Sequence, residues 1–242
     1  MSDNELIPAA TVLLVRDGAE GLEVLMLRRN SKIAFGGAWV FPGGAVEPDD
    51  RTTAEATVAA TVDGDGSDGD AVKAAARVAA VRETDEETGL QIGHDDLELW
   101  SYWEPPGRPT MQGKGPVRRF STWFFVSPAP DGDVAIDGGE IHEHRWLRPA
   151  DALDLRRVGE IELVPPTWVT LTQLGAHDTV AAALEWARLT TSMEFRTRPI
   201  NRAPLTLAWA GDAAYDGGPI DAAGPRHRLT MADDDWVYER RS

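Results

Sequence analysis

The chain has 242 residues, 42% hydrophobic and 26% charged, which is long enough for one substantial core and has the balance of a globular protein. Its formal charge of −16 argues against broad nucleic-acid binding, which needs a basic surface, so an anionic ligand must be drawn in by a local field. The absence of cysteine excludes a thiol nucleophile, a disulfide framework and a thiolate zinc site.

In chain order, the stretch Met1-Ser2-Asp3-Asn4-Glu5 lacks the basic start of a secretory signal. Apolar and polar residues alternate over 10–16 and 22–28, which predicts two strands with a hairpin turn begun by Asp17-Gly18. Runs such as Thr11-Val12-Leu13-Leu14-Val15 are too short to cross a bilayer. Residues 39–41 form a short strand leading into the turn Pro42-Gly43-Gly44. The acidic stretch 63–70 resembles a calcium loop at first glance. Asp68 and Ala74 stand where such a loop needs Gly and Glu, so a mobile, solvated loop is expected.

Residues 71–88 are rich in alanine and predict a helix, with Gly89 as the residue that ends it. Val78 and Val81 are expected to pack on the sheet, while Glu83, Glu86 and Glu87 share a stripe on the other side. Crowded like charges repel, so three carboxylates in an arc of roughly 100° make most sense around a hard divalent ion. Such an ion usually accompanies a phosphate substrate.

Strands are predicted over 97–103 and 119–126, joined by the loop 105–116, and again over 143–147. A short helix starts at Pro149. His142 and His144 lie two apart on a strand with no third soft ligand nearby, and are expected to be ordinary surface or core residues. Beyond residue 162, helices over 165–174 and 178–189 and short strands over 204–210 and 226–240 form an extension. With no clear linker before it, it should pack on the core. The C-terminal Glu239-Arg240-Arg241-Ser242 is not a peroxisomal address, and the cytoplasm is the expected location.

Phe41-Pro42-Gly43-Gly44, followed by Arg82-Glu83-Thr84-Asp85-Glu86-Glu87-Thr88-Gly89-Leu90, resembles the signature of the Nudix hydrolases. That signature reads Gly-x5-Glu-x7-Arg-Glu-(apolar)-x-Glu-Glu-x-Gly-(apolar). Gly44, Arg82, Glu83, Glu86, Glu87, Gly89 and Leu90 stand where it asks. Thr84 occupies a usually apolar place, and Asp50 stands where the pattern has Glu. An insert of about residues 51–74 separates the two halves of the signature. A loop insert costs little, because closure entropy grows only logarithmically with length.

The resemblance implies an α/β/α sandwich with a mixed sheet over residues 1–162, and the segment 163–242 is the C-terminal α+β extension. It implies hydrolysis of a nucleoside diphosphate linked to another moiety, with Mg2+ or Mn2+ as the cofactor. Glu83, Glu86 and Glu87 would hold the metal, completed by the carbonyl of Gly44 or Gly43. Arg82 would orient a helix carboxylate. Glu140 is the candidate for an extra ligand or general base, and Glu143 the second. Arg28 with Arg29, and Arg118 with Arg119, are candidates for holding phosphates, since Arg matches phosphate geometry. Trp103, Trp123 and Trp168 could stack a base, although nine tryptophans must mostly fill cores.

Segments 9–17, 27–29, 36–44 and 163–168 resemble the branch that contains the peroxisomal coenzyme A diphosphatase. That branch implies coenzyme A or acyl-CoA as substrate. ADP-ribose or a dinucleotide such as NADH is the alternative, and a non-catalytic, nucleotide-binding regulatory domain is the reading from another class. The expected partner is a small nucleotide, with no nucleic acid and no membrane, and a homodimer is left open.

Overall fold

The computed structural model describes residues 6–30, 37–61, 68–107, 118–136, 138–233 and 235–241. Among the described residues the main sheet is mixed, and nine strands take part. They are β1 (Leu6–Gly18), β2 (Gly21–Arg29), β3 (Ala38–Val40), β4 (Gly43–Ala45), β5 (Glu98–Glu104), β6 (Arg119–Pro128), β7 (Ile141–Leu147), β8 (Glu162–Leu163) and β9 (Met193–Arg196). The main order is β8-β3-β2-β1-β6-β5-β9, with β4 paired to β1 and β7 to β2. β1 runs parallel to β6 and antiparallel to β2 and β4.

The alternation in β1 divides the core into two layers. Leu13 and Val15 face helices α3 (Pro149–Arg157), α4 (Pro165–Leu174) and α5 (Val180–Leu189). Ala10, Val12 and Leu14 face helices α1 (Pro48–Thr61) and α2 (Asp68–Thr88). Burying both faces of a strand needs a run that is apolar throughout, which β1 supplies from Ala9 to Val15 with Thr11 as its one polar member. The result is an α/β fold with helices on both sides of a mixed sheet. Truncating a fully buried side chain such as Leu13 to Ala would cost about 2–5 kcal/mol.

Helix α2 lies on the sheet through Ala75, Ala76, Ala79 and Ala80, while Val78 and Val81 are only partly buried and flank that stripe. Val78 and Val81 thus pack against the same sheet-side core as expected, and the small alanines between them let the helix approach the strands closely. Thr84, fully buried, donates its hydroxyl to the Ala80 carbonyl at 2.8 Å, so an apolar position is filled by a satisfied polar group. Gly89 ends the helix at φ +68°, with its N–H donating to the Asp85 carbonyl at 2.8 Å.

Other expectations change. The early part of the insert is helix α1, packed against α2, and residues 68–70 form the start of α2 rather than a solvated loop. The rest of the acidic stretch and residues 108–117 lie outside the described residues. Beyond α5, β9 pairs in parallel with β5 and so extends the main sheet. The strands β10 (Arg198–Arg202), β11 (Leu205–Ala208), β12 (Arg226–Ala232) and β13 (Asp235–Arg241) form a second, antiparallel sheet in that order. The segment 226–240 is a hairpin of two strands, not one. Among the described residues no helix is long and apolar enough to cross a membrane.

Candidate active site

The two glycines of the Phe-Pro-Gly-Gly turn form the start of β4 and serve different ends. Gly43 stands opposite Thr11 and Gly44 opposite Ala10. A Cβ on Gly43 would collide with the Ala10 carbonyl and the Thr11 backbone, so the close approach of two main chains requires glycine there. A Cβ on Gly44 would instead enter the carboxyl group of Glu83. Thr11 fixes the turn by donating its hydroxyl to the Pro42 carbonyl at 2.7 Å.

Glu87 is 7% exposed and accepts a hydrogen bond from the Gly43 amide at 2.9 Å. Burial pushes its pKa up to about 8; the Gly43 bond and Arg29 oppose the shift, while Glu83 and Glu140 add to it. Burial also raises the pKa of Glu83, against the bond and charge of Arg82, with Glu86 and Glu140 reinforcing it. Four carboxylates therefore feel one another at the end of α2.

Arg82 is the hub. Its guanidinium reaches Glu83 at 2.8 Å, Glu86 at 3.0 Å, the Ala45 carbonyl at 3.1 Å and both oxygens of Asp50 at 2.9 and 3.1 Å. The hydrogen bond with Asp50, followed by those to Glu83, holds the guanidinium charged more firmly than usual. Asp50 is 3% exposed and also accepts the Glu47 amide at 2.8 Å, which fixes the first turn of α1. Sequence reasoning leaves Asp50 outside the site. The signal for it is its place in the motif, where an acid is required.

Strand alternation sorts the remaining candidates. Arg28 continues the face of Val24 and Met26, and pairs with Glu143 at 3.5 Å. Arg29 continues the face of Leu25 and Leu27, toward α2, and pairs with Glu140 at 3.3 Å. The structure thus brings Arg29 and Glu140 to the glutamates and places Arg28 and Glu143 across the sheet. Arg119 is in register with Leu6, four residues before the row of Trp123, Ala10 and Gly44, or about 13 Å along the strand. It donates to the Pro105 carbonyl at 3.2 Å, and Arg118 precedes it on an exposed position. Arg119 thus sits at the start of β6, away from the row that carries Gly44. Trp103 is stacked on Phe195 in the core, 4% exposed, and Trp168 packs near Trp236 on the far layer.

Among the described residues no three His, Asp or Glu side chains form a ready metal cage, and Arg82 holds Glu83 and Glu86. The donor set nevertheless suits a hard divalent ion. Its members are carboxylates, part-desolvated and mutually repelling, beside the backbone of a Gly-Gly strand.

The chain matches the NUDIX domain family over residues 5–59 and 70–167. Among solved structures it is similar to a NUDIX hydrolase from Alicyclobacillus acidocaldarius, at 26% identity and a TM-score of 0.62. That match covers 79% of this chain and 99% of the other. It is also similar to a MutT protein from Methanosarcina mazei, at 18% identity over 73% and 96% of the two chains, TM-score 0.46. A third is the NUDIX domain of Shewanella oneidensis NrtR, complexed with ADP ribose, at 15% identity over 70% and 86%, TM-score 0.46. No curated protein matches the chain. The family match spans well over half of the sequence and contains the whole glutamate cluster with its two glycines, so this chain belongs to the NUDIX hydrolase family.

Proposed function

We propose that this hydrolase cleaves the pyrophosphate bond of a nucleoside diphosphate linked to another moiety, with coenzyme A or an acyl-CoA as substrate. The observation that carries the reaction class is the buried Glu87, with pKa about 8, held against Gly43 amid Glu83, Glu86 and Glu140. Carboxylates so placed are costly in isolation and are stabilised by a cation. Glu83, Glu86, Glu87 and the Gly44 carbonyl would hold Mg2+ or Mn2+, which supplies charge neutralisation at the pyrophosphate.

The chain's own groups do the rest. Arg82 positions Glu83 and Glu86 from one fixed guanidinium, itself anchored by Asp50. Arg29, on the glutamate face, holds a phosphate oxygen. Glu140, 60% exposed at the mouth of the site, takes the proton of the attacking water. Water adds to one phosphorus, the bridging P–O bond breaks, and a nucleotide product leaves opposite the attack.

Support for coenzyme A comes from the branch resemblance of the N-terminal strands and of Leu163-Val164-Pro165-Pro166-Thr167-Trp168. The products would be 3′,5′-ADP and a phosphopantetheine, with Arg118 and Arg119 reading the 3′-phosphate. A cytoplasmic setting suits such a substrate. The test is product release with Mg2+ from coenzyme A, ADP-ribose and NADH in parallel. The expected result is the highest kcat/KM on coenzyme A. Preference for ADP-ribose or NADH overturns the coenzyme A reading. Tight nucleotide binding without any release identifies a non-catalytic domain.

A further inference from the structure

One row of residues crosses the sheet from the glutamate site to the C-terminal segment. Gly44 stands opposite Ala10, Ala10 opposite Trp123, Trp123 opposite Tyr102, and Tyr102 opposite Glu194. Cross-strand partners share a face, and Ala10 and Trp123 belong to the layer under α2, so the row lies on the glutamate side. At about 4.8 Å per strand, Trp123 and Tyr102 sit roughly 10 and 14 Å from the Gly44 backbone.

The two rings are 4.6 Å apart at 47°, and both are only partly buried. Trp100 and Trp103, which face the other layer, are sealed in the core by contrast. The Trp123 Nε1 is shielded from solvent and has no hydrogen-bond acceptor among the described residues, so what this residue offers a ligand is the exposed part of its ring. A cation flanks the pair. The Arg196 guanidinium lies 5.9 Å from the Tyr102 ring centre and is ion-paired to Glu104 at 2.8 Å. Arg196 comes from β9, so the C-terminal segment builds this rim.

We propose that Trp123 and Tyr102 are the platform on which the nucleobase of the substrate stacks. Arg196 borders the platform on its outer side. Aromatic faces bind bases of any identity by stacking. This inference rests on the pyrophosphatase reading for the position of the phosphates, but its test is one of binding.

Calorimetry with Mg2+ present should show wild-type protein binding AMP at least about tenfold more tightly than ribose 5-phosphate. Trp123→Ala should weaken AMP about tenfold to a hundredfold and leave ribose 5-phosphate unchanged. Trp123→Phe keeps a smaller ring and should fall between, with an unchanged melting temperature. Where Trp123→Ala fails to fold, Trp123→Phe and Tyr102→Leu decide by the same ratio. Equal affinity for AMP and ribose 5-phosphate in the wild type, or an AMP preference untouched by the folded variants, overturns the platform. Absence of any pyrophosphate cleavage would overturn the catalytic reading alone, since the base preference is measured on phosphomonoesters that hold no pyrophosphate bond.

Discussion

Asp50 and Arg82, 32 positions apart, meet in a two-point ion pair, Arg82 Nε to Oδ1 at 3.1 Å and Nη2 to Oδ2 at 2.9 Å. The pair ties the first turn of α1 to the glutamate helix. Asp50→Ala should therefore act at a distance, freeing Arg82 and with it Glu83 and Glu86. The expected cost is about 2–3 kcal/mol, because a nearly buried carboxylate is removed from a partly buried guanidinium. A tenfold or greater loss in kcat should accompany it. Urea unfolding and steady-state rates check this; wild-type values of both would show that the ion pair orders nothing.

The glutamates separate by burial. Glu86 is 58% exposed in its side chain, while Glu87 is buried against Gly43. If Glu86 and Glu87 are metal ligands as proposed, Glu86→Gln and Glu87→Gln should each lower kcat by about a hundredfold or more, since each removes one charge from the site. Neither should unfold the protein. Glu87→Gln keeps an acceptor for the Gly43 amide and has no charge to bury, so its melting temperature at pH 8 should match or exceed wild type. Activity within a few-fold of wild type for both variants would remove the metal-site assignment.

The pattern of glycines and acids made the meeting of Gly43 and Gly44 with Glu83 and Glu87 legible, because the Gly-Gly turn and the helical register of the acids are local facts. What was not legible depends on which face a residue occupies or on distant pairing. Arg28 and Arg29 are adjacent in sequence, yet alternation sends them to opposite sides of the sheet. The α1 segment, with alternating Thr and Ala and no strong apolar stripe, gives a weak helical signal, and its packing on α2 holds it. The short β9 has only Met193 and Phe195 to announce it, and it becomes a strand by pairing with β5, some ninety residues earlier.

The second sheet carries its own charged pair. Asp212 and Arg228 are buried together, with Arg228 Nε donating to Asp212 at 2.7 Å. Burial alone would raise the Asp212 pKa. The Arg228 hydrogen bonds, the Ala214 and His227 amides and the Arg228 charge outweigh it and bring the pKa from 3.8 down to about 2. Because the folded value lies below the unfolded one, the stabilisation is complete above pH 3.8 and is lost as pH falls through about 2. Unfolding free energy should drop by about 2 kcal/mol across that window on account of this group. Asp212→Asn should lose stability already at pH 7, where it strands Arg228, and show a shallower acid slope. Parallel acid slopes for the two proteins would contradict the assignment.

The faces of β2 give the sharpest test of substrate contact. Arg29 lies on the α2 side, where its charge is felt by Glu87 and its guanidinium meets Glu140 at 3.3 Å. Arg28 lies on the other side, where it meets Glu143 at 3.5 Å and is 51% exposed. If Arg29 holds a phosphate oxygen, Arg29→Ala removes one charge-assisted hydrogen bond, worth about 1.5–3 kcal/mol, or roughly tenfold to a hundredfold in kcat/KM. Arg29→Lys should recover part of this, because the charge returns without the planar fork. Arg28→Ala, which breaks only an exposed ion pair, should stay within a few-fold of wild type. Steady-state kinetics of the three variants on one pyrophosphate substrate decides the matter. Equal losses at Arg28 and Arg29 would mean that both arginines act through the fold rather than on the phosphate. A larger loss at Arg28 would place the substrate on the opposite face of the sheet from the glutamates.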